Sequence, residues 1–381
     1  MIIGREDELK MLHEAYSDEY SQFVVVYGRR RVGKTFLVRE AFNYKFTFQH
    51  SGIANAPRSS QLEEWGKSLQ KHGLKGKTTP KDWFEAFSFL DDLIRKSRAK
   101  KKVVFIDELP WMDTQASNFI PALEHFWNAY ASARKDVLLI VCGSATSWIV
   151  DKIINNHGGL HNRLNKKINL KQFTLHECEL YAKSRKLGMQ HRQLLECYMV
   201  MGGIPFYWSL LRKDLSLPQN IDSIFFSEDG ELRDEFDALY RSLFKKPEAY
   251  LNVINALGKK RIGMTRDEIS TEANLTQGGM LTTILKDLEH CGFIRKYNQI
   301  GKLSKGAMYQ LVDFYTLFYF KFILENKRHY PNFWSKSAGS SLYNNWCGLA
   351  FERVCFAHIP QIKHALSIGG VVSNEYSWFV R

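Results

Sequence analysis

Apolar residues recur along this chain in two rhythms, short unbroken runs and longer stretches in which every third or fourth position is apolar. The runs are Phe23-Val24-Val25-Val26-Tyr27, Tyr44 to Phe48, Val103-Val104-Phe105-Ile106, Val137-Leu138-Leu139-Ile140-Val141-Cys142 and Lys167 to Leu170. Runs of this length predict strands, and the fully apolar ones predict strands covered on both faces, as in a parallel sheet. Between them, helical spacing predicts helices from Gly4 through Leu9, Leu12 and Tyr16, over Phe36 to Ala41, about Ser60 to His72, Trp83 to Arg98, and through Ile154. Strands alternating with helices predict an α/β core over 1–172.

Beyond residue 172 the strand rhythm fades. Thr174-Leu175-His176-Glu177 has capping-box spacing and predicts the first of three helices, at about 175–186, 190–200 and 230–244, which form a helical lid over 173–244. The turn Gly202-Gly203-Ile204-Pro205 lets backbone approach a flat ring closely while proline fixes its direction. Helices over Tyr250 to Leu257, Thr265 to Ile269 and Thr276 to His290 come next, then a hairpin of Gly292 to Tyr297 with Met308 to Val312 around the basic turn Lys302 to Lys305. Three helices and a hairpin predict a winged helix-turn-helix over 245–312. In the remaining 313–381, Tyr315 to Phe322 reads as an aromatic core helix and Gly348 to Val354 begins another helix.

The chain has 381 residues, 53 Lys and Arg against 40 Asp and Glu, and a formal net charge of +13, a surplus that favours a polyanionic partner. Part of it lies in 245–310, with eleven basic and six acidic residues. Within the helix expected to enter a groove, Thr276, Gln277, Thr282, Thr283 and Lys286 can hydrogen-bond but include no arginine to read guanine. Non-specific or partner-mediated DNA binding, favoured over sequence-specific readout, and a regulatory arm packed on the core are the readings of this segment. The basic run from Arg95 to Lys102 reads as a solvated helix end or a nucleic-acid patch. The six cysteines are scattered, without a Cys-x-x-Cys pair, and read as buried thiols in a reducing compartment. With no apolar run near the ~18 residues of a membrane span and no secretory signal at Met1 to Glu6, the expected location is the cytoplasm, with no membrane partner.

Candidate chemistry centres on Gly28-Arg29-Arg30-Arg31-Val32-Gly33-Lys34-Thr35, between an apolar strand and a helix. The glycines let successive N–H groups curl inward, and the helix opening at Lys34 adds its positive end to the same spot. Gly28, Arg31, Val32, Gly33, Lys34, Thr35 and Phe36 are the expected nucleotide contacts, with Lys34 on the β and γ phosphates and the Thr35 hydroxyl on Mg²⁺. Asp107 and Glu108 end the next apolar strand, where Asp107 would hold the metal and Glu108 would orient and deprotonate water. Ser144, after the following strand, reads as a sensor of the terminal phosphate or as a helix cap, provided that strand lies between the other two. Arg163 is either a transition-state cation, in its own subunit or on a neighbour, or a salt-bridged structural arginine. His157 and His161 lack ligand spacing and are assigned no metal.

Together these motifs, with the Gly4-Arg5-Glu6 opening and the Gly203-to-Pro205 turn, resemble the archaeal-type ATPase family, a STAND branch of AAA+-related P-loop ATPases. The resemblance implies ATP or ADP with Mg²⁺, base or ribose contacts at Ile3, Gly4 and Arg5, and adenine contacts at Gly203 and Pro205. The competing reading of the opening is an ordinary amphipathic helix. Such proteins usually end in a domain similar to PD-(D/E)XK nucleases, and Gly348, Phe351 and Glu352 match its start. The later acids and lysine have no counterpart before Arg381, so a truncated α/β segment without nuclease activity is expected. The resulting expectation is a slow ATP-driven switch coupled to DNA, with a homo-oligomer or protein partner. Its rivals are a nucleotide-stabilised DNA-binding regulator without turnover and an ATPase component of a nuclease-like protein.

Overall fold

A computed structural model describes residues 2–76, 78–156, 158–160, 162–244, 246–298, 307–326 and 330–372, and the chain divides into two compact units, Met1–Lys171 and Gln172–Arg381. In the first unit α1 (Glu6–Ser17), β1 (Gln22–Tyr27), α2 (Lys34–Ala41), β2 (Phe48–Ser51), α3 (Arg58–Lys71) and α4 (Trp83–Lys96) follow in order. They are succeeded by β3 (Lys102–Asp107), α5 (Phe119–Phe126), β4 (Val137–Gly143), α6 (Thr146–Ile149) and β5 (Lys166–Asn169). The strands form one five-stranded parallel sheet in the order β2-β3-β4-β1-β5. Burial follows that order: β3 and β4 are buried at every position and β1 at all but Tyr27, whereas the edge strands β2 and β5 keep polar, exposed positions. Interior strands of a parallel sheet have helices on both faces, which is why their sequences are unbroken apolar runs.

Helix α4 shows the packing logic. Asp82 caps it, accepting from the Glu85 N–H, and Trp83, Phe87, Leu90 and Ile94 recur on one face, all buried. Trp83 packs edge-on against Trp65 of α3 and Phe119 of α5, with ring centroids 5.5 and 4.8 Å apart. Burying aromatic bodies of this size contributes on the order of 2 kcal/mol or more each.

Several expected boundaries move. The strand expected over Tyr44 to Phe48 begins only at Phe48 and runs to Ser51, because Asn43 and Tyr44 turn through positive φ (49° and 58°) and cannot start an extended segment. Residues 119–131 form α5 and a wide π turn over Trp127–Ala131, helical structure absent from the sequence reading.

The second unit contains α7 (Leu175–Ser184), α8 (His191–Met201), α9 (Pro205–Ser209), α10 (Leu217–Ile221), α11 (Glu235–Leu243) and α12 (Pro247–Lys259). Then come β6 (Met264–Thr265), α13 (Arg266–Glu272), α14 (Gly279–His290), β7 (Ile294–Tyr297), β8 (Met308–Leu311), α15 (Phe314–Phe318), α16 (Phe333–Ser337), α17 (Ser341–Ala357) and α18 (Ile359–Ala365). The antiparallel sheet β6-β8-β7 accompanies α12, α13 and α14, and the basic turn Lys302 to Lys305 lies outside the described residues. The helix expected to begin at Gly348 instead begins at Ser341, where Ser340 Oγ accepts from the Tyr343 N–H, so Gly348 is mid-helix. No strand occurs among the described residues of 313–372, and the end from Trp378 to Arg381 lies outside them. The segments expected at 173–244, 245–312 and 313–381 share one compact body, in which Tyr198 of α8 meets Phe314 of α15 and His358, each at 5.2 Å. Among the described residues no helix is long and apolar enough to cross a membrane.

His50 on β2 is 4% exposed, and its ring lies 5.0 Å from that of Trp65, so burial holds its pKa down to about 4 against the weaker opposing pull of Glu64. An unfolded histidine takes up a proton first as pH falls, so this stability is complete above pH 6.5 and is lost as pH falls towards about 4. His50→Gln is expected to flatten that fall in unfolding free energy, by up to about 3 kcal/mol. Denaturant unfolding across this pH range measures it, and an unchanged profile would count against a neutral buried imidazole.

Candidate functional site

Strand β1 ends in the 28–33 loop, whose backbone takes angles that side chains resist: φ is 141° at Gly28, 70° at Arg31 and 92° at Gly33. Gly28 is constrained twice, since a Cβ there would lie 2.2 Å from the Leu170 carbonyl oxygen beyond β5. Space around Gly33 is open, so its requirement is conformational alone. Lys34 starts α2, is buried, and donates from Nζ to the Gly28 and Arg29 carbonyls, each at 2.9 Å.

Thr35 follows, and its Oγ1 donates to Asp107 Oδ2 at 2.7 Å. Asp107, at the end of β3, accepts from the Glu108 N–H at its other oxygen, 2.9 Å away. Strand β4 lies between β1 and β3 and brings Ser144 to the same end of the sheet, where its Oγ donates to Glu108 Oε2 at 3.0 Å. These residues therefore meet outside the carboxyl ends of neighbouring parallel strands, where open α/β sheets bind ligands. Thr35 and Asp107 converge two hard oxygen donors, a donor set that fits Mg²⁺ with water completing its shell.

Sequence reasoning missed what braces this cluster. Glu108 is held in the left-handed region (φ 48°, ψ 46°), and a Cβ at Gly143 would come within 2.8 Å of the Pro110 ring. The close Gly143–Pro110 contact seats the turn two residues after Glu108 against the residue before Ser144, and its sequence signal is a proline two residues after the acids and a glycine just before the serine. Cys142 is wholly buried beside Asp107, and burial, reinforced by that carboxylate, pushes its thiol pKa up, so the sulfur remains protonated.

Other candidates lie elsewhere or point elsewhere. Val32 is buried in the core, Phe36 is exposed on α2, and Ile3 is half-buried. Gly4 and Arg5 both turn through positive φ (64° and 72°), and Arg5 donates to the Lys171 carbonyl at 2.7 Å and pairs with Glu8 at 3.7 Å. Arg163 is not brought to the cluster. Asn165 exchanges hydrogen bonds with Phe23, at 2.9 and 2.8 Å, so the chain re-enters the sheet level with the start of β1. Arg163 thus precedes the amino ends of the strands, roughly 16 Å along β1 from Gly28. It is exposed and makes no ion pair among the described residues. Gly203 and Pro205 belong to the second unit: a Cβ at Gly203 would lie 1.9 Å from the Phe173 carbonyl oxygen, and Pro205 opens α9. His157 and His161 lie outside the described residues, among which no cluster of three His, Cys, Asp or Glu could hold a metal.

Residues 2–211 match a family described as an ATPase domain predominantly from Archaea. An uncharacterised protein of Methanocaldococcus jannaschii is 25% identical over 366 residues, covering 93% of this chain and 76% of its own length. A second protein of that organism, an uncharacterised ATP-binding protein, is 36% identical over 45 residues, 12% of this chain and 76% of its own. A Walker-type ATPase of Pyrococcus abyssi is similar in fold, with a TM-score of 0.57 at 18% identity over 84% of this chain and 96% of that one.

The Gly28 contact gives a direct test of how the loop is anchored. Gly28→Ala places a methyl group against the Leu170 carbonyl and should cost more than about 1 kcal/mol, since the new side chain is incompatible with both φ and space. Thermal unfolding should show a fall in Tm, and a variant as stable as the parent would mean that the loop is free to move off β5.

Proposed function

We propose, from the premise that this chain belongs to the family of ATPase domains found predominantly in Archaea, that it binds ATP on the 28–35 loop and hydrolyses it slowly as a nucleotide-dependent switch. The observation that carries the reading is the convergence of Lys34, Thr35, Asp107, Glu108 and Ser144 outside β1, β3 and β4. Backbone N–H groups of the loop and the start of α2 receive the phosphates, and Lys34 exchanges its carbonyl partners for β and γ oxygens. Glu108 accepts the proton of the attacking water on a carboxylate oxygen. The water oxygen bonds to the γ phosphorus as the bond to the β–γ bridging oxygen breaks, giving ADP and phosphate. Ser144, by donating to Glu108, keeps that carboxylate turned and also registers the terminal phosphate. Mg²⁺, when held by Thr35 and Asp107, would draw charge from the phosphate oxygens. Arg163, exposed at the amino ends of the strands, fits a role towards a second copy of the chain better than towards its own nucleotide.

A second reading, binding of duplex DNA by 245–312 as a winged helix, is favoured by the exposed face of α14. Leu281, Ile284, Leu285 and Leu288 are buried there, while Thr282, Thr283 and Lys286 remain exposed on the helix, and Thr276 and Gln277, expected at its start, are exposed in the turn before Gly279. Arg266 donates to Thr282 Oγ1 at 2.8 Å and so orients one of these hydroxyls.

Lys34→Ala should abolish ATP binding, and Glu108→Gln should retain ATP while phosphate release falls by about 10²-fold or more. Nucleotide titration and phosphate release read these separately, and full turnover in both variants would refute the site. Lys286→Glu should weaken duplex DNA binding without changing ATP affinity. Anisotropy of labelled duplex at several salt concentrations tests it, and unchanged affinity would remove α14 from the interface.

A further inference from the structure

A second basic concavity lies in the first unit, along the edge strand β2. Its volume is about 1190 Å³, above the roughly 300–1,000 Å³ of a site for one small ligand, and it suits a chain-like occupant better. It is lined by residues from the end of α1, the end of α2 and the turn that follows, β2, and the end of α3. Arg39, Lys45, Lys71 and Lys101 line it together with three histidines, and none of the described lining residues is acidic.

These groups are not equally free. Lys101 donates to the carbonyls of Asp18, Tyr20 and Lys135 and serves as floor. Arg39 is braced by Gln49, whose amide oxygen accepts at 2.8 and 3.0 Å. Lys45 and Lys71 are exposed and make no ion pair among the described residues. His50 accepts from or donates to Ser68 Oγ at 2.9 Å through Nδ1, while its buried Nε2 has no hydrogen-bond partner.

Aromatic faces accompany the charge. Tyr16 is 42% and Tyr44 57% exposed, large values for rings on a well-packed domain, and Phe42 lies 5.7 Å from Tyr16. Tyr44 is held out by its positive φ of 58° in the turn after α2. A groove that offers cations for a backbone and ring faces for bases matches the chemistry of single-stranded nucleic acid, where stacking contributes about 1–3 kcal/mol per base. An acidic peptide would use the cations and leave the rings idle.

We propose that this edge groove binds a short segment of single-stranded nucleic acid, with phosphates on Arg39, Lys45 and Lys71 and bases stacked on Tyr44 and Tyr16. The site is separate from the phosphate loop and from α14, and it depends on neither of their assigned roles. Helix α2 nevertheless joins it to the loop, with Lys34 at one end and Arg39 and Phe42 at the other.

The test uses the full chain without nucleotide and the anisotropy of a labelled oligothymidylate over a salt series. The parent should bind with a salt dependence of about two phosphate contacts or more, since single strands give a slope of about −0.7 per contact. Lys45→Gln with Lys71→Gln should weaken binding about tenfold and lower that slope by about 1.4. Tyr44→Ala should weaken it about fivefold or more, while Lys286→Glu leaves it unchanged. All three positions are exposed, so unchanged thermal unfolding and unchanged ATP binding would show the variants to be folded. Absence of binding by the parent, or parent-like binding by the double lysine variant, would overturn the proposal. So would a poly-glutamate peptide that competes equally well when Tyr44→Ala has no effect, the signature of an acidic peptide site.

Discussion

One buried carboxylate fixes the geometry on which the site depends. Asp107 is 3% exposed, and a carboxylate that far from water is tolerable only if its oxygens find donors. One oxygen takes the Thr35 hydroxyl, 72 residues away in sequence, and the other takes the N–H of its neighbour Glu108. The first bond ties the start of α2 to the end of β3. The second curls the chain immediately after β3, and Glu108 turns into the left-handed region, which aims its carboxylate back across β4 to Ser144. Loop, acids and serine are thus positioned relative to one another by hydrogen bonds that give each oxygen of Asp107 a donor.

This part was legible in the sequence because its signals are local. A glycine-framed loop between an apolar strand and a helix, and a pair of acids ending a later apolar strand, each fit within ten residues. The condition attached to Ser144, that the Val137 strand lie between the other two, is met by the order β3-β4-β1. The position of Arg163 was not legible, for a complementary reason. Its sequence neighbourhood says that it precedes a strand, but only the register of Asn165 with Phe23 reveals which end of the sheet that is. The Tyr44 strand failed because two residues of positive φ outweigh aromatic strand propensity, and nothing in Asn43-Tyr44 announces this beyond the asparagine itself.

The second unit was legible in its helices and less so in its packing. The capping box at Thr174 and the apolar face of α14 are local patterns, and both elements occur. The extent of aromatic contact was not readable. Phe318 alone meets Phe225, Phe226, Phe322, Trp334 and Trp346 at 5.2–6.1 Å, uniting residues from 225 to 346 in one body. Gly203 illustrates the same limit. Its sequence setting suggests a ligand-facing turn, whereas its immediate constraint is the Phe173 carbonyl, against which any side chain would collide.

Helix α2 is short and carries chemistry at both ends. Eight residues span about 12 Å, too few turns to bend appreciably, so the helix moves as a body if it moves at all. Its first residue, Lys34, is bound to the Gly28 and Arg29 carbonyls, and a phosphate that draws the ammonium away releases those two bonds. Thr35 meanwhile anchors the same turn to Asp107. If α2 pivots about that anchored turn when Lys34 is drawn away, its far end carries Arg39 and the turn from Phe42 to Lys45 with it. Coupling between two sites is reciprocal: an anion on that far end would change nucleotide affinity by the factor by which nucleotide changes its own. The sign depends on which position of Arg39 the bound nucleotide favours. Because Gln49 on β2 already holds that guanidinium, a pivot that breaks the Arg39–Gln49 bonds frees Arg39 for an anion, whereas one that keeps them leaves the edge groove indifferent to the phosphate loop.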